Sequence, residues 1–172
     1  MKILRSTRLG SRAAASVMAT TVVLATILTG TVAATDEVPF KGNLAAVVTI
    51  TPIDPPVVSV LVKGTGNATH LGSYTVEFVA VVNQATRTGI GPGLIVITAA
   101  NGDTLSAEST GSATLVAPGV LATVDTATIT GGTGRFADAT GSFVLERTFF
   151  VAMGVTTGSF EGTLSSPGAA HQ

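Results

Sequence analysis

From Pro39 onward the chain is built of short runs that are apolar with a two-residue period or throughout, broken at intervals of ~8–12 residues by Gly, Pro or Asn, which is the pattern of an antiparallel sheet protein. In "SYTVEFVAVV" (73–82), Tyr74, Val76, Phe78, Ala80 and Val82 share one side of an extended chain. The same reading predicts eight strands: Phe40–Ile50, Val57–Lys63, Ser73–Val82, Leu94–Ala99, Thr104–Ala113, Val120–Ile129, Gly141–Met153 and Val155–Leu164. The breaks have physical causes. "TPIDPP" (51–56) holds three prolines that cannot donate to a ladder, and "NGD" (101–103) predicts a type I′ hairpin with positive φ at Asn101 and Gly102. No stretch after the N-terminal segment carries a helical stripe of apolar residues.

Eight strands on hairpin-length connections fit a sandwich or a closed cylinder, and closure removes the edges that a Val-rich sheet exposes at its peril. The expected fold is therefore all-β, an eight-stranded antiparallel up-and-down, calycin-like barrel. Glycines inside the strands (Gly42, Gly141, Gly158, Gly162) allow the coiling that a small cylinder needs. Val79 and Val81 lie on the face opposite Tyr74 and Phe78, so some strands are apolar on both sides. Self-association as a dimer or trimer would cover the second face; an ordinary Val/Thr surface is the alternative. With no Cys among 172 residues, disulfides, thiolate metal sites and cysteine nucleophiles are excluded.

The N-terminus has a different composition. Lys2, Arg5, Arg8 and Arg12 precede an uncharged stretch from Ala13 to Gly30, followed by the small residues of "TVAA". This order predicts a secretory signal peptide over residues 1–34, one domain over 35–172 and a secreted, extracytoplasmic location. A retained anchor is the alternative, since the uncharged stretch approaches the ~20 residues that cross a bilayer. The membrane otherwise has no predicted role. Beyond the segment, Lys41, Lys63, Arg87, Arg135 and Arg147 face ten acidic residues, a net charge of −5, and these scattered cations exclude a nucleic-acid surface.

Gly132-Thr133-Gly134-Arg135-Phe136-Ala137 satisfies the glycine pattern of a dinucleotide loop, but Gly141 and a β-branched, aromatic run follow where that loop needs a helix. The pattern instead predicts a corner between strands, with Gly131, Gly132 and Gly134 turning the backbone, Phe136 anchoring it in the core and Gly141 opening the next strand. The surrounding stretch "DTATITGGTGRFADATGSFVLER" (125–147) resembles the signature of the allene oxide cyclase and dirigent barrels. Upstream, "VPFKGNL" (38–44) and "GDTLSAESTG" (102–111) match only faintly. The resemblance implies an eight-stranded antiparallel barrel with a cavity, trimeric in many of the cyclases. It carries no catalytic residue across.

Catalytic candidates are few. His171 lies in a polar tail, and His70, in the turn "GTGNATHLG", either serves that turn or lines a barrel mouth. Glu77 would be a candidate acid or base if buried, although alternation sends it to solvent opposite Tyr74 and Phe78. Glu146 and Arg147 are adjacent, so one of them points inward, where Glu146 would join the catalytic candidates and Arg147 would hold a polar head group. Tyr74, Phe78 and Arg147 are the candidate ligand-binding residues. Asp125 and Asp138 are expected to cap the glycine corner. Two histidines cannot form a His-rich metal site, no loop has calcium spacing, and no cofactor is expected. The functional expectation is a small hydrophobic ligand held in the cavity, or a purely structural role, with a cyclase or isomerase acting on a flexible hydrophobic substrate as the alternative.

Overall fold

The computed structural model describes residues 37–165, so the proposed signal segment and His171 lie outside the described residues. The strands are β1 (Val38–Asp54), β2 (Val57–Ala68), β3 (Gly72–Asn83), β4 (Thr88–Gly89), β5 (Gly93–Ala99), β6 (Thr104–Ala117), β7 (Val120–Gly132), β8 (Thr140–Phe150) and β9 (Val155–Ser165). All pair antiparallel. Each of the eight long strands bonds to the next one in the chain, and β9 returns to β1, so the sheet closes in a ring. No long strand is left with an unpaired edge.

The ninth strand, β4, was not expected. β5 begins only at Gly93, and at that end of the ring β4 spans the gap beyond it, pairing Gly89 with Val82 of β3 and Thr88 with Ser112 of β6. Three further expectations are corrected. Gly102 has φ 88°, but Asn101 does not enter the positive region. The hairpin is a three-residue turn in which the Gly102 amide donates to the Ala99 carbonyl and the Ala99 amide donates to Asp103. The strand expected to reach Met153 ends at Phe150, where a single 3-10 turn, Val151–Met153, leads to Gly154 at φ 63°. Pro52 does not end β1, which runs to Asp54 through a shift of register between Pro52 and Asp54.

Alternation decides what faces inward. Apart from Ser165 at the end of β9, the buried side chains sit at even positions in β1, β2, β3 and β9 and at odd positions in β5, β6, β7 and β8, as the two-residue period requires. At one end of the ring the interior is solid. Phe40 meets Phe160 at 4.8 Å and Phe143 edge-on at 5.5 Å between ring centroids, with Tyr74 against Phe160 at 6.3 Å. Gly42 makes this possible, because a Cβ there would overlap the Phe160 ring. The outside carries cross-strand pairs, Lys41 on Glu161 at 2.6 Å and Lys63 on Glu77 at 2.9 Å, all exposed.

The glycine corner joins β7 to β8 at the solid end. Gly131, Gly134 and Gly141 adopt φ of 129°, 56° and 132°, while Gly132 stays outside the positive region and lies against the Thr104 carbonyl. After Thr133 comes one 3-10 turn, Gly134–Phe136, and no longer helix follows. Phe136 is fully buried. The carboxylate serving the corner is Asp103 of the neighbouring hairpin, which accepts from the Arg135 amide at 3.4 Å; neither Asp125 nor Asp138 does so. Asp125 lies inside the ring instead, paired with Arg147.

Candidate functional site

The opposite end of the ring is hollow. Its inward positions carry Val48, Val58, Val60, Ala80 and Ala113, which are too short to meet across the interior, and a cavity of about 210 Å³ remains. The loop from Gln84 to Pro92 borders its mouth through Gln84, Arg87, Gly89 and Gly91. Asn83 fixes the start of that loop. Its side-chain oxygen accepts from the Ala85 amide at 2.9 Å, and its carbonyl accepts from the Arg87 amide at 2.7 Å. Arg87 itself takes φ 59°, and its carbonyl accepts from Ala113 of β6 at 2.8 Å, which ties the loop to the far side of the gap.

At the inner wall of this largely apolar chamber lies an ion pair. Arg147 of β8 donates from Nη2 and Nε to Asp125 Oδ2 of β7 at 2.6 and 3.2 Å. Their side chains are 8% and 9% exposed. Such a pair persists away from water because each charge satisfies the other, and losing either partner would strand a charge. The surroundings are shaped around it. A Cβ on Gly111 would collide with Asp125 Oδ1, and one on Gly158 would press on the Arg147 side chain. The Arg147 guanidinium lies 5.3 Å from the Phe78 ring centre, within cation–π range. Ser109 of β6, 3% exposed, faces the same chamber, and its hydroxyl has no hydrogen-bond partner among the described residues. A buried hydroxyl in that state is rare in a folded protein.

Neither the models of known protein families nor the curated proteins contain a match to this chain.

The sequence-predicted residues divide by location. Phe78 and Arg147 line the chamber together. Tyr74 faces inward but belongs to the solid end, where its hydroxyl donates to the Asn43 carbonyl at 2.6 Å and burial pushes its pKa up to about 12. The three catalytic candidates all lie outside the chamber. Glu77 points to solvent and pairs with Lys63, as strand alternation requires. Glu146 points outward and Arg147 inward, because neighbouring strand residues take opposite faces. His70 sits at φ 62° in the β2–β3 turn, at the far end of the ring from the mouth.

Two inward groups were missed by sequence reasoning. Asp125 shares its parity with Ala127 and Ile129, and Ser109 shares its parity with Leu105 and Ala107. That parity was the available signal. Asp125 was instead read as a cap of the glycine corner, and a lone Ser within a strand carries no chemical signature of its own.

Proposed function

We propose that the protein is a calycin-like up-and-down barrel of the allene oxide cyclase and dirigent type, exported from the cell, which holds one small and mostly apolar ligand in its hollow end. The sequential pairing of the eight long strands and the glycine corner at residues 131–134 support the barrel type. The observation that carries the ligand reading is the chamber itself, an apolar space of about 210 Å³ with a few convergent polar groups at its inner wall. For scale, an apolar cavity of ~150 Å³ accommodates benzene. Native mass spectrometry of the gently purified protein, followed by its melting temperature with single-ring hydrocarbons, tests the reading. A bound small molecule, or a rise in melting temperature with such a compound, is expected; a chamber that takes up neither returns the protein to a structural role.

A second reading is favoured by the Asp125–Arg147 pair. A cyclase or isomerase needs only a shaped enclosure and one or two groups that stabilise developing charge, and this pair supplies them. Turnover that disappears in Asp125→Asn while ligand binding survives would establish it. Outside the ring, Val79, Leu94 and Val96 form an exposed apolar row on β3 and β5, which supports self-association as an added property. Sedimentation of the purified protein reads this out directly.

A further inference from the structure

The ligand-holding reading leaves open which end of a ligand goes in first and what chemistry it carries, and the inner wall of the chamber answers both. Ser109 is deeply buried and its hydroxyl has no hydrogen-bond partner among the described residues. Arg147 directs Nε and Nη2 at a single oxygen of Asp125, Oδ2, a contact that does not engage Arg147 Nη1 or Asp125 Oδ1. Donor and acceptor capacity is thus concentrated at the base of an otherwise apolar space. That capacity stays unused unless something polar enters.

Charge limits what that something is. The Asp125 carboxylate already neutralises Arg147. An anionic head group brought to the base would be desolvated beside a second carboxylate, and a cationic one would be desolvated beside the guanidinium. The remaining cation of the lining, Arg87, stands exposed at the mouth, where water screens it. Resting on the ligand-holding reading, we infer that the ligand is a single-ring-sized molecule bearing a neutral oxygen group, a carbonyl or a hydroxyl, which enters base-first and hydrogen-bonds the Ser109 hydroxyl beside the Asp125–Arg147 pair. A carbonyl accepts from Ser109 and Arg147 Nη1. A hydroxyl donates to Asp125 Oδ1 or Ser109.

Three probes of nine heavy atoms separate the possibilities: cumene with no head group, acetophenone with a neutral carbonyl and benzoate with a charge. Each is titrated calorimetrically against the wild type, Ser109→Ala and Arg87→Ala. In Ser109→Ala, acetophenone should bind about 5- to 10-fold more weakly while cumene binds as well as before or better. Benzoate should show no measurable binding to any form. The infrared carbonyl band of bound acetophenone should move to lower frequency in the wild type and return toward its apolar-solvent position in Ser109→Ala. An equal response of cumene and acetophenone to Ser109→Ala overturns the head-group assignment and leaves the ligand-holding reading intact. So does benzoate that binds as tightly as acetophenone and is lost in Arg87→Ala, because the head group would then sit at the mouth. If neither cumene nor acetophenone binds the wild type, the ligand-holding reading itself falls. Removing the unpartnered hydroxyl should not lower the melting temperature, so loss of fold does not confuse the result.

Discussion

The end of the ring that holds Phe40, Phe143 and Phe160 and the end that holds Val58, Ala80 and Ala113 are made from the same strands with the same alternation, yet one is solid and the other hollow. The difference lies in side-chain size at inward positions. Phenylalanines from the neighbouring strands β1, β9 and β8 pack against one another and fill that end, whereas valine and alanine leave the other open. Charge is distributed accordingly. The solid end has its polar atoms paired locally, as Tyr74 is with Asn43, while the boundary of the hollow end carries an ion pair and an unpartnered hydroxyl. Close packing and open space thus lie at opposite ends of one closed sheet.

The sharpest way to break this contrast is to truncate one ring at each end. Phe40→Ala should lose about 4 kcal/mol in urea unfolding, because it removes contacts and leaves a void in a packed interior. Phe149→Ala, which borders space that is already empty, should lose only about 2 kcal/mol. Equal losses would show that the two ends are packed alike. Next in size, Asp125→Ala should cost about 3 kcal/mol by stranding Arg147, and combining Asp125→Leu with Arg147→Met should restore most of that loss. A double variant no better than the single one would mean that the pair is needed for the fold itself.

Alkaline pH probes the solid end through Tyr74. The neutral Tyr74 phenol is favoured in the folded state, so its contribution is complete below pH 10 and is lost as pH rises from 10 towards 12, at most about 2 to 3 kcal/mol. Tyr74 is the chain's single tyrosine and there is no Trp, so its absorbance titration can be followed directly; Tyr74→Phe should abolish that slope. A midpoint near 10 in the folded protein would contradict its burial. Enlarging small residues gives a finer comparison. Ala127→Leu at the solid end should cost about 2 kcal/mol, whereas Ala113→Leu, pointing into the chamber, should change stability little and should weaken cumene binding. The smallest effect belongs to the outside: Glu77→Gln should shift stability by less than about 0.5 kcal/mol, since its ion pair with Lys63 is exposed.

Much of the fold was legible in the chain, and the candidate site less so. Strand alternation placed Glu77 outside and required Glu146 and Arg147 to part company. The glycine corner was readable because Gly134 needs a backbone angle that other residues avoid, although the acid serving it, Asp103, comes from a hairpin some thirty residues earlier. β4 was not readable, because two residues of "TG" carry no period; they form a strand only because β5 starts late and leaves the edges of β3 and β6 within reach. The Asn101 turn was misjudged for a related reason. The same dipeptide serves two- and three-residue hairpins, and the pairing of Ala99 with Asp103 selects between them.

By itself the sequence determined that the described chain is β-structured, that neighbouring strand residues take opposite faces and that the backbone bends at the glycine corner, because these follow from a two-residue period and from local backbone sterics. Only the tertiary structure decided that Asp125 and Arg147 meet, that the Ser109 hydroxyl has no partner among the described residues, and that one end of the ring is empty. Those outcomes depend on register and on how far side chains from non-adjacent strands reach across a closed interior, and no local pattern encodes either distance.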